Sequence, residues 1–542
     1  MFNMCCCFSV TPADHSLEYA GVIKAGVLCQ GNPIASFIPF ITCSGRTTYY
    51  VKSTPNTSCP VHLCLTLCEY AQQPHIYGTS NTTLLLLPGD HVLTVNFTVE
   101  DTTDFTICAK VSSHIENRAV TVVCQGMVGF MFRNISHAAL EGLTFTSCGK
   151  GEVTYSPVYS DYMTTYGVSI YLGQDIKISN CAIQDSDGTV MGVLYSSLNL
   201  RGSNSFTNNC RGCFDRNHTR VYALGGGIYT KISTLIISGK SFFGGNSAEI
   251  GGGIYAENSI LDFTGTHTFS DNSAQMFGGG IAAVKCVLDF SGNHTFNDNL
   301  AHLFGGGISA LHTALNFKGN SIFTANAAEF GGGIGAMNGS LAFDGDSTFR
   351  ENSAVNNGGG IFAGYSSLAF SENGIFTGNS AQQYGGGILV QSSTLNFSGN
   401  SIFINNSVEH NGGGIHAWYS TLCFTGTITI RSNSAGDGGG FYAWYSNFDL
   451  IGNITFQNNS ARTFGGGFYT KRSILKIAGI NTDDNTVTVK YSGEDSLFNS
   501  NLALIHGGAI YTDSSTLMKG ATSLVEIQQV TMGEEYTLKT AL

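Results

Sequence analysis

Three kinds of residue in this chain have the makings of a chemical site. The first is glycine. Gly-Gly-Gly begins at Gly225, Gly251, Gly278, Gly305, Gly331, Gly358, Gly385, Gly412, Gly438 and Gly465, and a glycine-rich turn can cradle a phosphate. The second is the acidic run Asn481-Thr482-Asp483-Asp484, because two carboxylates placed across a glycosidic bond can hydrolyse it. The third is aromatic. The chain has two tryptophans, Trp418 and Trp444, each followed by a tyrosine, Tyr419 and Tyr445, and exposed aromatics make contact surfaces for sugars or proteins.

The elements that carry these residues decide between the readings. A phosphate loop occurs once, between a strand and a helix, with a Lys-Ser/Thr at its end. Here the glycines recur every 26 or 27 residues, no lysine follows them, and no helical apolar period opens after them. An altered copy, Gly507-Gly508-Ala509-Ile510, follows the tenth triplet after 42 residues. Each unit also carries Ser/Thr-x-Leu-x-Phe and Phe-x-x-Asn-Ser-Ala, as in Leu261-Asp262-Phe263 and Phe269-Ser270-Asp271-Asn272. The Leu-x-Phe period of two signals a strand, and the Gly, Asn, Ser and Thr between signal turns. Each unit therefore reads as three short strands, with too little apolar surface to fold alone. Propeller blades need longer units and leucine-rich repeats a different motif. The pattern predicts an all-β fold, a right-handed parallel β-helix with one 26–27-residue unit per coil and coils about 4.8 Å apart.

Stacking turns equivalent positions into columns that can be compared within the chain. Phe263, Phe290, Phe317, Phe343, Phe370, Phe397 and Phe424 form one, and Phe269, Phe296, Phe323, Phe349, Phe376 and Phe403 another. Both are expected to point inward, as is the isoleucine column from Ile254 to Ile415. Asn272, Asn299, Asn326, Asn352, Asn379, Asn406, Asn433 and Asn459 form a polar column. Asparagine tolerates left-handed backbone and builds amide ladders, so this column is expected at a corner. The glycines are expected at another corner, where positive φ or a neighbouring coil excludes a Cβ.

The whole chain has 542 residues, 42% of them hydrophobic and 11% charged, which suits a long folded core. A formal net charge of −12 with scattered lysine and arginine excludes nucleic acid as an expected partner. Fourteen of the 16 cysteines precede residue 214, among them Cys43, Cys59, Cys64, Cys68, Cys108, Cys124, Cys148, Cys181, Cys210 and Cys213. They predict a disulfide-stabilised cap and an oxidising compartment, with metal binding as the rival reading. Eleven Asn-x-Ser/Thr sequons, Asn293 and Asn453 among them, permit glycosylation. No apolar run reaches the roughly 20 residues of a transmembrane helix. Residues 1–44 read as a leader or a misplaced start. Residues 45–125 read as the Cys-rich N-terminal cap and first coil, and 126–223 as irregular coils with loop insertions. Residues 224–520 read as the regular repeats and 521–542 as a C-terminal tail.

Gly-Gly-Ala-Ile paired with Phe-x-x-Asn resembles the repeat of the chlamydial polymorphic outer-membrane proteins. Gly507 to Ile510 matches the first motif, and Phe206, Phe243, Phe269, Phe296, Phe323, Phe349, Phe376, Phe403, Phe456 and Phe498 begin copies of the second. The resemblance spans roughly residues 200–515 and implies a pectin-lyase-like β-helix acting as a surface adhesin. The start, with Tyr49-Tyr50-Val51-Lys52 and Cys59, Cys64 and Cys68, is similar to extracellular β-helix proteins of early-branching animals. Both resemblances imply a secreted or cell-surface location.

The same fold hosts polysaccharide lyases and hydrolases. Asn481 to Asp484 resembles the first element of galacturonan hydrolases, but neither Gly-His-Gly nor Arg-Ile-Lys follows, and His506 lies inside the altered repeat. Catalytic residues, cofactors and metals are therefore not assigned, and a lyase or hydrolase is kept as the alternative function. Two columns after the glycines vary freely. One includes Glu257, Val284, Leu311, Met337, Gly364, Gln391, Trp418, Trp444 and Lys471. The next includes Asn258, Lys285, His312, Asn338, Tyr365, Ser392, Tyr419, Tyr445 and Arg472. Free variation in a fixed frame marks outward positions. The expected ligand surface is Trp418, Tyr419, Trp444, Tyr445 and Tyr365, its partner a cell-surface glycan or protein, and its role adhesion or ligand binding.

Overall fold

The computed structural model describes residues 80–94, 96–109, 120–124, 129–148, 166–210 and 223–477, with short segments elsewhere, mainly between residues 40 and 66 and between 480 and 539. Cys43, Cys59, Cys64, Cys68 and Cys213 lie outside the described residues, as do Asp484 and His506. Every regular element among the described residues is a strand. The chain divides into two compact units, Met1–Val221 and Tyr222–Leu542.

The second unit is a parallel β-helix, and one coil shows how it is built. Strands Ile334–Met337, Ser340–Phe343, Ser347–Arg350 and Ser353–Asn357 follow one another. Each pairs in parallel with its equivalent one repeat on: Ile334 opposite Ile361, Leu341 opposite Leu368, Phe349 opposite Phe376 and Ser353 opposite Ser380. A coil thus has four strands, not the three expected. The fourth is the short Ser-Ala stretch, whose two-residue alternation is too brief to show in a pattern of apolar residues. In the first unit, parallel pairs such as Thr82–Leu86 with Phe105–Ala109 and Phe97–Glu100 with Phe130–Arg133 repeat the same logic. There, a disulfide joins Cys124 to Cys148. Cys210 is also disulfide-bonded, whereas Cys181 is a fully buried thiol whose pKa burial pushes up to about 12.

Both phenylalanine columns fill the core of the second unit. Phe343 stacks on Phe370 at 4.4 Å and Phe349 on Phe376 at 4.8 Å, with planes within 4° of parallel. The columns meet edge to face, Phe343 on Phe349 at 82°, the geometry ring quadrupoles prefer. Toward the C-terminus the core keeps its volume by exchange. Ile430 interrupts one column and Leu450 ends the other, while Phe441 and Phe468 replace isoleucine in the third wall and pack on Phe456. Close-packed interiors tolerate such swaps when total volume holds.

The glycine and asparagine corners are tied together between coils. The first glycine of each triplet is left-handed, φ +69° at Gly331. At the second and third, a Cβ would meet the next coil's backbone, 2.4 Å from the Gly359 oxygen at Gly332 and 2.6 Å from the Gly360 oxygen at Gly333. The asparagines form a buried ladder. Asn326 Nδ2 donates to Asn352 Oδ1 at 2.9 Å, and Asn352 Nδ2 donates to Asn379 Oδ1 at 3.0 Å and to the Phe323 carbonyl at 2.9 Å. The left-handed residue is the one before each asparagine, such as Glu351 at φ +54° and Asn405 at φ +54°. The asparagine itself serves as the inward hydrogen-bonding group. Asn352→Ala takes the side-chain partner from two donors of Asn326 and from the Phe323 carbonyl inside the core, while the Asn379 amide oxygen keeps only the backbone N–H of residue 352. It is expected to destabilise the second unit by about 2–4 kcal/mol, read as a lower midpoint in urea.

Candidate functional site

The strand after each glycine corner alternates in direction. Ile415 and Ala417 enter the core, so His416 and Trp418 stand on the outer face. The same holds for Tyr442 and Trp444, then Tyr469 and Lys471. Parallel pairing sets Trp418 directly opposite Trp444. Their rings stack at 5.4 Å and 7°. One residue on, Tyr419 stacks on Tyr445 at 5.0 Å and 7°. The Arg472 guanidinium caps that pair, 5.4 Å from the Tyr445 ring centre and donating to the Tyr445 hydroxyl. Tyr419 and Tyr365 are 54% and 58% exposed, and the tryptophans are half-buried. Both indole N–H groups are shut away from water with no hydrogen-bond partner.

The column that holds Tyr365, Tyr419, Tyr445 and Arg472 is left-handed throughout, with φ of +52°, +50°, +49° and +50°. Asn258 and Asn338 occupy the same column with φ of +48° and +55°. Asparagine visits this backbone region readily, whereas other side chains pay steric energy for it.

A second outer column did not stand out in the sequence. It lies two residues after the last glycine of each triplet and includes Phe362, Leu389, His416, Tyr442, Tyr469 and Tyr511, all nearly buried although they face away from the core. Side chains that precede the triplets cover them across the glycine corner: Phe304 lies on Phe362, Tyr384 on His416 and Phe464 on Tyr511. Alternation from apolar to small residues, Gly335 beneath Phe304, was the available signal. Asp437 belongs to this outer layer. Its Oδ1 accepts from the Thr463 hydroxyl and from the Phe464 N–H at 3.2 Å. Burial raises its pKa, against the opposing pull of that N–H and of Lys471. Burial and the nearby Asp437 also push the Tyr442 and Tyr469 hydroxyls up. Lys471 itself pairs with Asp513 at 3.3 Å. Of the acidic run, Asn481 to Asp483 lie in strand Ile480–Asp483, antiparallel to Thr486–Val489.

Fold and motif together define a class. Residues 346–364, 453–471 and 495–513 match the Chlamydia polymorphic membrane protein (Chlamydia_PMP) repeat, so the chain is a parallel β-helix built with polymorphic membrane protein repeats. Each match runs from Phe-x-x-Asn through the glycine corner to the outer strand. No curated protein matches the chain. Solved structures similar to it include PfbA, a surface adhesin of Streptococcus pneumoniae, at 9% identity and TM-score 0.30 over 77% of this chain and 92% of that one. The A-module of the Azotobacter vinelandii mannuronan C-5 epimerase AlgE6 aligns at 8% and 0.21 over 84% and 94%. An exopolygalacturonase of Thermotoga maritima aligns at 7% and 0.22 over 83% and 88%. Likenesses this low carry no argument about activity. Among the described residues, no helix is long and apolar enough to cross a membrane.

Buried histidines give this unit an acid-sensitive side. Burial lowers His416 to about 3, despite its contact with the Asn411 carbonyl. His267 falls to about 4, and His294 to about 3 with His267 beside it. A histidine with a folded pKa below its unfolded 6.5 contributes stability that is complete above pH 6.5 and is lost as the pH falls toward the folded value. The thermal midpoint is therefore expected to drop between pH 6.5 and pH 5, above the range where most carboxylates titrate. His416→Leu, the residue type at position 389 in the same column, should flatten that slope. An unchanged slope in calorimetry would show that His416 is not one of the groups responsible.

Proposed function

We propose that the chain is a cell-surface or secreted β-helix that binds a surface glycan or protein through the outer face bearing Tyr365, Trp418, Tyr419, Trp444 and Tyr445. The observation that carries this reading is the tryptophan pair outside the core. Stability alone would not select it. Two indole N–H groups lie buried and unpaired, each a cost of about 1–3 kcal/mol. The neighbouring tyrosines occupy left-handed positions where the same column elsewhere uses asparagine. Local rules broken at adjoining positions mark function more than packing. The polymorphic membrane protein repeat supports the surface location.

Trp418→Ala combined with Trp444→Ala is expected to lower binding of the purified chain to cell surfaces by tenfold or more, measured by flow cytometry. Unchanged binding refutes the assignment of this face. Tyr365→Asn separates function from folding. Tyr365 makes no ring contact among the described residues, so the change should raise stability by up to about 1 kcal/mol while weakening binding.

A polysaccharide lyase or hydrolase is the second reading, and Asp437 beside Tyr442 and Tyr469 is the feature that favours it. A half-buried carboxyl with a raised pKa among aromatic hydroxyls is suited to proton transfer. Under this reading the chain turns over an acidic polysaccharide such as pectin or alginate, and Asp437→Asn abolishes turnover while leaving the circular dichroism unchanged. Turnover that is lost instead on changing Asp483 or Asp484 would move the site to the acidic run.

A further inference from the structure

The exposed corner column has one gap in its aromatic run. It reads Tyr365, Ser392, Tyr419, Tyr445, Arg472 on successive coils. Between Tyr419 and Tyr445 the rings are 5.0 Å apart and in contact. Between Tyr365 and Tyr419 one coil intervenes, and it contributes only Ser392. All three residues leave the backbone from the same left-handed conformation, φ +52°, +50° and +50°. The pairing of their coils is unbroken, Tyr365 N–H to Gln391 carbonyl and Ser392 N–H to Trp418 carbonyl, both within 2.9 Å. Two coils separate the positions of Tyr365 and Tyr419 by about 10 Å.

We infer that Tyr365 and Tyr419 are the walls of a slot, floored by Ser392 and Gln391, that takes one pyranose ring of a glycan. This rests on the reading of the outer face as a binding surface and names its ligand class. Thickness is the first argument. Carbon contacts of about 3.5–4.0 Å on each wall leave roughly 2–3 Å for what lies between. A flat aromatic ring, with all its atoms in one plane, takes up none of that space, whereas a puckered chair with substituents above and below its mean plane takes up more of it. The floor is the second argument. The Ser392 hydroxyl and the Gln391 amide make no hydrogen bond to any described residue and are not shut away from water. The Tyr419 hydroxyl is likewise unpaired, unlike that of Tyr445, which accepts from Arg472. Apolar walls with hydrogen-bonding groups at the rim and floor match a sugar, which presents C–H faces and hydroxyl edges. An aliphatic side chain of a protein partner would leave the floor groups unpaired, a loss the sugar avoids.

The test uses saturation-transfer difference NMR on the full chain, with methyl β-D-glucopyranoside, methyl β-D-galactopyranoside and methyl N-acetyl-β-D-glucosaminide as probes. N-acetyl-leucine amide serves as the aliphatic probe. At least one pyranoside is expected to show saturation on its axial C–H protons. Ser392→Phe places a ring between the two walls and should cut that signal by about tenfold or more; Lys285→Asn, in the same column three coils before Tyr365, should leave it. If Ser392→Phe does not fold, Tyr365→Asn removes one wall and is read in the same way. Absence of saturation for every pyranoside, saturation that survives these slot variants, or equal saturation of N-acetyl-leucine amide each overturns the slot. The two readings fail separately. Cell binding lost in the tryptophan double variant, with no pyranoside saturated, retires the slot and keeps the face. Saturation with cell binding indifferent to the tryptophans does the reverse.

Discussion

Successive coils of the second unit touch backbone to backbone at the glycine corner, and this contact fixes much else. At Gly252, Gly279, Gly306, Gly332, Gly359 and Gly386, a Cβ would lie 2.4–2.5 Å from a glycine oxygen of the next coil. The amides there bond coil to coil, Gly332 N–H to Gly358 carbonyl at 3.1 Å and Gly359 N–H to Gly385 carbonyl at 3.0 Å. With no side chain to spread the coils, every coil must repeat the path of the one before it. A coil that slipped by one residue would turn its phenylalanines outward and its serines inward. The corner therefore holds the register that makes columns possible at all. The asparagine ladder follows from it, because amides reach one another at 2.9–3.0 Å only when coils stay in register.

The same register governs the outer face. Aromatic rings in a column stack because the backbone sets them one strand spacing apart, near the preferred distance for parallel rings. Stacking turns the inner faces of Trp418 and Trp444 toward each other, so along a filled column the partner meets ring edges. A free face appears only where a column begins, ends or is interrupted. Arg472 takes the face at one end of the tyrosine pair, and Ser392 creates the interruption near the other. A surface of this kind gains specificity from where small residues break the run as much as from where large ones continue it.

Much of this was legible in the chain itself, because a repeat supplies its own comparison. Constancy of Phe, Ile and Gly at fixed spacing revealed the coil, the inward columns and the excluded Cβ. Variation at Trp418 and Tyr419 revealed the outward ones. What escaped notice has identifiable causes. The Ser-Ala strand is two residues long in most coils, too short for any period to register. The column of Phe362, His416 and Tyr442 carried no signal of its own, for it faces away from the core yet is buried by residues from across the glycine corner. A bend that brings two outward faces together is a property of the path, not of any local pattern. The left-handed residue was assigned one position late, since asparagine favours that conformation more than Glu351 or Ser432 does. There the tertiary ladder claimed the asparagine side chain and moved the strained position to its neighbour.

That displacement bears on how such a chain can acquire a binding surface. The left-handed corner after each outer strand accepts asparagine, lysine, histidine, tyrosine, serine and arginine in turn, from Asn258 to Arg472. Each choice costs little more than a conformational penalty of roughly 1–2 kcal/mol, and the coil-to-coil bonds at the two internal corners are untouched by it. Positions anchored on one side by glycine contact and on the other by an amide ladder can therefore change identity without risking register. In Tyr365, Tyr419 and Tyr445 that freedom has been used for large aromatic side chains, at positions where a smaller residue would hold the fold at least as well.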